Sequence, residues 1–548
     1  MLTISVRDIS RAVLLMVLLG LSTAGAMGQT PSWKQQAKAL SELPDLQGNT
    51  VNVLAPAGDS LWLGPDFTLY LEPPDRPSPA DSLFQVDRSD LRSGDSFVFS
   101  IAARNANATE RVWAGLAFDV GGGELGAGGF LVSDDGGTSF ERRNAQVDEP
   151  GAPDATTITY GGDVLEAEPI TEQAGSVPQD LAFGVGNDTV WVAGTRSGLR
   201  WIDLGKPREE QEWTRAVLPP DSSTSVAPSN TNDFLVAPPL NDERGWRNHV
   251  VFRVLVDEAG TVWAGTPEGL NRSRAGTVTG NGQRAWDRFE GGEGNPLPAD
   301  FVVALAEQPR TGGRNPIWAA TQPSQFEQRF GVAVTEDGGA TFEKTLIGES
   351  ISDIATRQAR VYAVGSDGLY VTADQGNSWR TVENFPLKDD EQILPDDTTP
   401  LTVATTDAAL WMGTDEGLLR LDRSDETSLL DESPKWQLLR AETPVNPESP
   451  TEEAPDVSTY AYPNPFVPSQ DQFVRIAYEL ENPGSVEINI YDFGMNRVRT
   501  ITDQKPDGQQ ETVWRGTNDQ GLRVPTGTYF YTVDLGGRTV KGKILVAN

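Results

Sequence analysis

Side chains able to do chemistry are unevenly stocked in this chain of 548 residues. It has 79 Asp and Glu, 44 Lys and Arg, ten Tyr, one His and no Cys. Without cysteine there is no thiol nucleophile, no thiolate metal site and no lipid-bearing cysteine. The lone His249 rules out a zinc site built from several imidazoles. It precedes the apolar run VVFRVLV with no nucleophile word beside it, so it reads as structural rather than as a general base. What remains is the chemistry of carboxylates, arginine and tyrosine. Cleaving an acidic glycan with those groups needs arginines for the substrate carboxylate and a Tyr nucleophile with a carboxylate partner. No local pattern marks such a set. The pairs Asp389-Asp390 and Asp396-Asp397 lack the spacing of a calcium hand and read as solvated surface, with a structural Ca²⁺ left open and no other cofactor expected.

One carboxylate pattern does repeat: SDDGGTSF from Ser133, TEDGGATF from Thr335 and TADQGNSW from Thr372. Each reads hydroxyl, any, Asp, any, Gly, any, Ser or Thr, aromatic. Asp135, Asp337 and Asp374 can fold back onto backbone N–H groups, while Gly137, Gly339 and Gly376 can take positive φ. The expected product is a hairpin turn whose aromatic drops into a core. The pattern resembles the Asp-box of the sialidase and BNR-repeat families, where these turns are structural.

Such turns need strands to join, and a second word supplies them. VWVAGTRSGL from Val190, VWAGTPEGL from Val262, VYAVGSDGL from Val361 and LWMGTDEGL from Leu410 share an apolar residue, an aromatic, small residues and Gly-Leu; LWLG, VWAG and IWAAT are weaker copies. The aromatics are Trp62, Trp113, Trp191, Trp263, Trp318, Tyr362 and Trp411, separated by 51, 78, 72, 55, 44 and 49 residues. The shorter spacings match one four-stranded propeller blade of about 40–50 residues. From Ile351 to Val382 four short alternating segments are joined by tight turns, with the first expected to line a central channel. These readings predict an all-β chain with a seven-bladed β-propeller over residues 50–442. Longer connections at roughly 144–177, 205–248 and 273–298 are either functional or disordered. The Gly-Thr and Gly-Leu words also resemble the two-component-regulator propeller repeat of sensor ectodomains, which implies ligand binding.

Residues 1–28 have Arg7 and Arg11, the apolar run Ala12 to Leu21 and a small-residue site at Ala24-Gly25-Ala26. They read as a secretory signal peptide, too short to span a bilayer, with no other spanning stretch after its removal. A polar lead-in follows over residues 29–49. The net charge of −35 is set against nucleic acid and anionic membranes as partners. With only nine Lys, it also resembles proteins from salty surroundings, where screening is short-ranged.

Residues 443–457, rich in Pro and Glu, read as an extended linker. Beyond it, residues 458–548 alternate as VRIAYEL, SVEINIYD, ETVWRG, GTYFYTVDL and TVKGKILV, predicting an Ig-like β-sandwich. The words YPNPF (Tyr462, Pro463, Asn464, Pro465, Phe466), IYDFGMNRVRT, VWRGTNDQGLRVPTGTYFYTV and VKGKILV resemble two related families. One is the FlgD-like Ig domain; the other is the type A C-terminal sorting domain of the type IX secretion system. The resemblance implies recognition by the secretion machinery and a place outside a Gram-negative cell. It makes Gly516, Gly521 and Gly527 turn positions and Trp514 and Tyr529 core, with Lys541 and Lys543 in the closing word. A plain Ig-like spacer stays open.

Together these features favour a secreted propeller that binds an extracellular glycan or a surface protein without catalysis. A sialidase-like glycan hydrolase and a structural surface-layer component are the alternatives.

Overall fold

A computed structural model describes residues 51–439 and 458–547. It omits 59, 65–67, 72–82, 86–95, 107–108, 122–123, 138, 149–155, 240–243, 323–328, 389–393, 395–397, 463, 469–472, 481 and 506–507. The signal peptide, lead-in, linker, both acidic pairs and Pro463 therefore lie wholly or almost wholly outside the described residues. The chain divides into two compact units, the larger holding the blade words and the smaller the C-terminal domain.

Seven antiparallel sheets, each holding four consecutive strands, form the ring of the larger unit. They cover residues 53–85, 96–143, 178–215, 253–289, 301–345, 351–382 and 400–439. First strands of neighbouring sheets touch from blade one round to blade seven, and blade seven's touches blade one's, so the ring is closed. The fold is a seven-bladed β-propeller. Among the described residues no strand is exchanged at the closure. Blades one and seven meet through Val51, Leu61, Ala404, Ala409, Trp411 and Leu418, and through the Val51 N–H on the Thr414 carbonyl at 2.8 Å.

All seven word aromatics lie on the second strand of their blade and none is more than 2% exposed. Burying an indole strands its N–H unless a partner is supplied. In three blades the residue just after the first strand supplies it. Trp263 Nε1 donates to Asp257, Trp318 to Gln308 and Trp411 to Thr406, each at 3.0 Å. In blade six the aromatic is Tyr362, and its hydroxyl donates to the buried Glu426 of blade seven, which also pairs with Arg357 and Arg360. The Gly-Thr–x–x–Gly turns have a similar logic. Thr266 and Thr414 hydroxyls donate to the carbonyls of Gly269 and Gly417 at 3.0 and 2.8 Å. Those glycines sit at φ of +126° and +140°, which a side chain would strain.

The long connections are ordered where described. Residues 157–166 form a hairpin, Thr157–Tyr160 with Asp163–Glu166, and Ser225–Val226 adds a fifth strand to blade four. Tyr160, Leu165, Val226 and Val236 pack with Trp201 and Trp286 against blades three and four. Asp148 pins this insertion by bridging Arg200 and Arg215, both at 2.6 Å. Burial alone would raise the Asp148 pKa, but the two guanidiniums hold it below its ordinary value.

The smaller unit is a sandwich of seven strands: β1 (Thr459–Tyr462), β2 (Val474–Leu480), β3 (Gly484–Tyr491), β4 (Arg497–Lys505), β5 (Gly508–Trp514), β6 (Gly527–Asp534) and β7 (Thr539–Val546). One sheet orders β1-β2-β5 and the other β4-β3-β6-β7. Inward residues Ile476, Tyr478, Ile488, Ile490, Trp514, Tyr531 and Ile544 make its core. Strands β1 and β4 were not among the five expected from alternation.

Candidate functional site

The three Asp turns each join the third and fourth strands of a blade. In each, the first hydroxyl donates to the Asp carboxylate: Ser133 to Asp135 at 2.7 Å, Thr335 to Asp337 at 2.9 Å and Thr372 to Asp374 at 2.8 Å. The same Asp accepts the backbone N–H and hydroxyl of the residue four positions on, Ser139, Thr341 or Ser378, at 2.6 to 3.0 Å. These bonds favour the charged form and hold Asp337 and Asp374 down to a pKa of about 2. Gly137, Gly339 and Gly376 have φ of +84°, +93° and +84°. A Cβ there would press on the preceding blade, 2.5 Å from Trp62, 2.8 Å from Phe289 and 3.1 Å from Trp318 respectively. The box aromatics follow the same direction. Phe140 meets Trp62, Phe342 meets Phe289 and Trp379 meets Trp318 at centroid distances of 6.0, 4.9 and 6.0 Å. Each box carboxylate is thus engaged inside its turn, and the turn serves as an interblade wedge.

Polar chemistry converges elsewhere, at the channel end where first strands begin. In five blades the first strand carries a bulge there, placing an extra residue: Phe99, Gln179, Val303, Ser352 or Leu401. A bulge re-aims a side chain, and these five are half-buried beside more deeply buried neighbours. The residue after the bulge links to the next blade in three cases. Ser100 donates to the Pro178 carbonyl at 2.7 Å, Asp180 accepts from Val254 N–H at 2.9 Å, and Asp353 accepts from Val403 N–H at 3.0 Å and the Thr402 hydroxyl at 2.6 Å. Arg253, on blade four, reaches the carbonyls of Val303 on blade five and Gln179 on blade three. Burial raises the pKa of both Asp180 and Asp353, and the nearby Arg253 partly offsets it. Phe252 and Phe301, at 5.0 Å and nearly perpendicular, add apolar surface at the same level. None of these residues was singled out from the sequence. A signal was there, in the parallel words QDLA at Gln179 and SDIA at Ser352.

A Tyr, a carboxylate and two arginines do come together, in Tyr362, Glu426, Arg357 and Arg360, but between blades six and seven with Tyr362 fully buried. Burial and the Glu426 charge push the Tyr362 hydroxyl far above its ordinary pKa, the opposite of an activated nucleophile. His249 is also buried, with Nε2 3.0 Å from the Leu218 carbonyl, and desolvation lowers its pKa to about 4. His249 and Ser197 border one small cavity. Among the described residues no three His, Asp or Glu are grouped as metal ligands.

In the sandwich, Asn464 acts as a surrogate strand. Its side-chain amide donates to the Lys543 carbonyl at 3.0 Å and accepts from Leu545 N–H at 2.8 Å, while the Phe466 N–H reaches the Leu545 carbonyl at 2.8 Å. The Tyr-Pro-Asn-Pro-Phe word therefore covers the free edge of β7, and the Asn464–Pro465 bond is cis. Tyr462 is buried with its hydroxyl on Glu511. Tyr529 and Trp514 are core residues, Tyr529 also donating to the Pro525 carbonyl at 2.8 Å. Gly516 and Gly521 hold positive φ in turns. Gly527 does not: it opens β6 with ordinary backbone and open space around it, because the turn ends one residue earlier. Lys541 and Lys543 are exposed on the outer face of β7.

Residues 468–537 match the FlgD Ig-like domain. No curated protein sequence matches the chain. Among solved structures it is similar to PorZ, a surface component of the type IX secretion system of Porphyromonas gingivalis, at 12% identity over 90% of this chain and 70% of that one, with a TM-score of 0.27. An ancestral GH74 enzyme is 10% identical over 69% of this chain and 48% of that one, with a TM-score of 0.43. The extracellular domain of a one-component system of B. thetaiotaomicron is 12% identical over 91% and 87%, with a TM-score of 0.28. At such identity none of these likenesses says what this chain binds.

Proposed function

We propose that this chain is exported to the outer surface of a Gram-negative cell and there binds an extracellular glycan or surface protein at the bulged end of its propeller channel. The reading is carried by one observation: half-buried apolar and polar side chains from five blades, Phe99, Gln179, Val303, Ser352 and Leu401, stand at first-strand bulges next to Asp180, Arg253 and Asp353. The Asp turns are the BNR-type structural element, since their carboxylates are consumed within the hairpin. Export is assigned to the sandwich, whose match to the FlgD Ig-like domain and edge-covering Tyr-Pro-Asn-Pro word support a sorting role.

Glycan arrays and surface-protein capture with the full chain in high salt test the binding. Gln179→Ala with Leu401→Ala, which touch no described hydrogen bond of the ring through their side chains, should abolish it. Unchanged binding by that variant would place the site elsewhere, and release of sugar products would make the protein a hydrolase. For export, deletion of residues 458–548 should leave the propeller in the periplasm of a type IX-competent host.

A further inference from the structure

The C-terminal domain differs from the rest of the chain in charge. Residues 458–548 hold ten Asp and Glu against nine Lys and Arg, a net of −1 out of −35. Four of its nine cations, Arg497, Arg523, Lys541 and Lys543, are exposed and have no carboxylate partner among the described residues. Beside them stand the most exposed large apolar side chains of the domain, Phe493 at 78%, Leu522 at 62% and Met495 at 61%.

These apolar groups are held out, not left loose. The β3–β4 turn is built on Asp492, whose carboxylate accepts the Asn496 N–H at 2.8 Å and the Asn496 amide at 3.0 Å, while Met495 N–H reaches the Asp492 carbonyl at 2.9 Å. Met495 sits at φ +62°, a strained setting for a long side chain that a merely solvated turn would give to Gly or Asn. Phe493 lies 6.4 Å from Phe530 of β6, which is in register with Lys543 of β7. The loop holding Leu522 is tied to the same end of the sandwich by Asp519 N–H on the Val498 carbonyl at 2.9 Å. Leu545, 43% exposed, continues the apolar surface on β7. An ordered apolar patch edged by unpaired cations fits a partner protein with an apolar groove and an acidic rim.

We infer that the end of the sandwich formed by Phe493, Met495, Leu522, Phe530 and Leu545, edged by Arg497, Arg523 and Lys543, is the surface on which a protein of the export machinery docks. This rests on the export reading above. Truncating an anchor of such an interface weakens binding by about tenfold or more. Three full-length variants test it in a type IX-competent host, by fractionation and by melting of the purified proteins. Phe493→Ser with Met495→Ser should accumulate in the periplasm while melting like the unmodified protein. Arg523→Glu with Lys543→Glu should do the same by reversing the rim charge, and Phe493→Tyr with Met495→Leu should leave export intact. If both disruptive variants reach the surface normally while the 458–548 deletion is retained, the docking surface is wrong and the export reading stands. If the deletion itself reaches the surface, the export reading falls and takes the docking surface with it. Binding to phosphatidylglycerol vesicles that is lost in the same variants would replace the protein partner with lipid and overturn the inference.

Discussion

Asp353 of blade six accepts the backbone N–H of Val403 in blade seven at 3.0 Å, so a channel carboxylate doubles as a link between blades. Removing it by Asp353→Ala leaves that N–H and the Thr402 hydroxyl unpaired at a half-buried site, which costs about 1–3 kcal/mol. The carboxyl also imposes a pH dependence. Burial raises its folded pKa, so in the window above the ordinary aspartate value of 3.8 the folded state holds more protons than the unfolded one. Stability from this group falls as pH rises through that window and is level above the raised value. Asp180 acts in the same direction. Denaturant melts across pH should show a slope that Asp353→Asn reduces; an unchanged slope would remove Asp353 as its source.

His249 has the opposite sign. Its pKa is lowered to about 4 in the fold from 6.5, so the unfolded chain takes up a proton first as the solution is acidified. Its contribution is complete above pH 6.5 and lost between there and about pH 4, on the order of 3 kcal/mol at most. A His249→Asn variant should melt with a flatter acid limb, followed by circular dichroism.

The Asp turns are expected to fail by packing, not by loss of ligand. Gly137→Ala must strain a residue at φ +84° and drive a methyl to 2.5 Å from Trp62, so it should destabilise by about 1–3 kcal/mol or more. Asp374→Ala should lower the melting temperature and leave ligand binding intact. Normal melting with lost binding would make that turn part of the ligand site.

Salt should stabilise the chain strongly. A net charge of −35 repels itself in the compact state, and molar salt shortens the range of that repulsion to about 3 Å. Melting temperatures in dilute buffer and in molar KCl check this, and equal values would refute it.

The blade count was legible because each second strand needs a large aromatic at one place, and seven such residues stand in the sequence. The Asp turns were legible for a similar reason: hydroxyl, Asp and Gly must recur at fixed offsets to close the hairpin. The channel end was not. Asp180, Arg253 and Asp353 come from three different blades, and a bulge is one inserted residue with no composition of its own. Strand β4, RVRTITDQK, alternates too many polar groups to stand out, and β1 is only four residues long. The hairpin at 157–166 was hidden inside a Pro- and Gly-rich connection that its composition made look like loop.

Because blades one and seven keep their own strands among the described residues, a pull applied between residues 51 and 439 meets no described strand that must be unpaired before the circle parts. The load falls first on the Val51–Thr414 bond and the packed side chains beneath it. The propeller is therefore built like a clasped bracelet, in which the first mechanical event is the springing of the clasp and each blade beyond it can then peel away in sequence order.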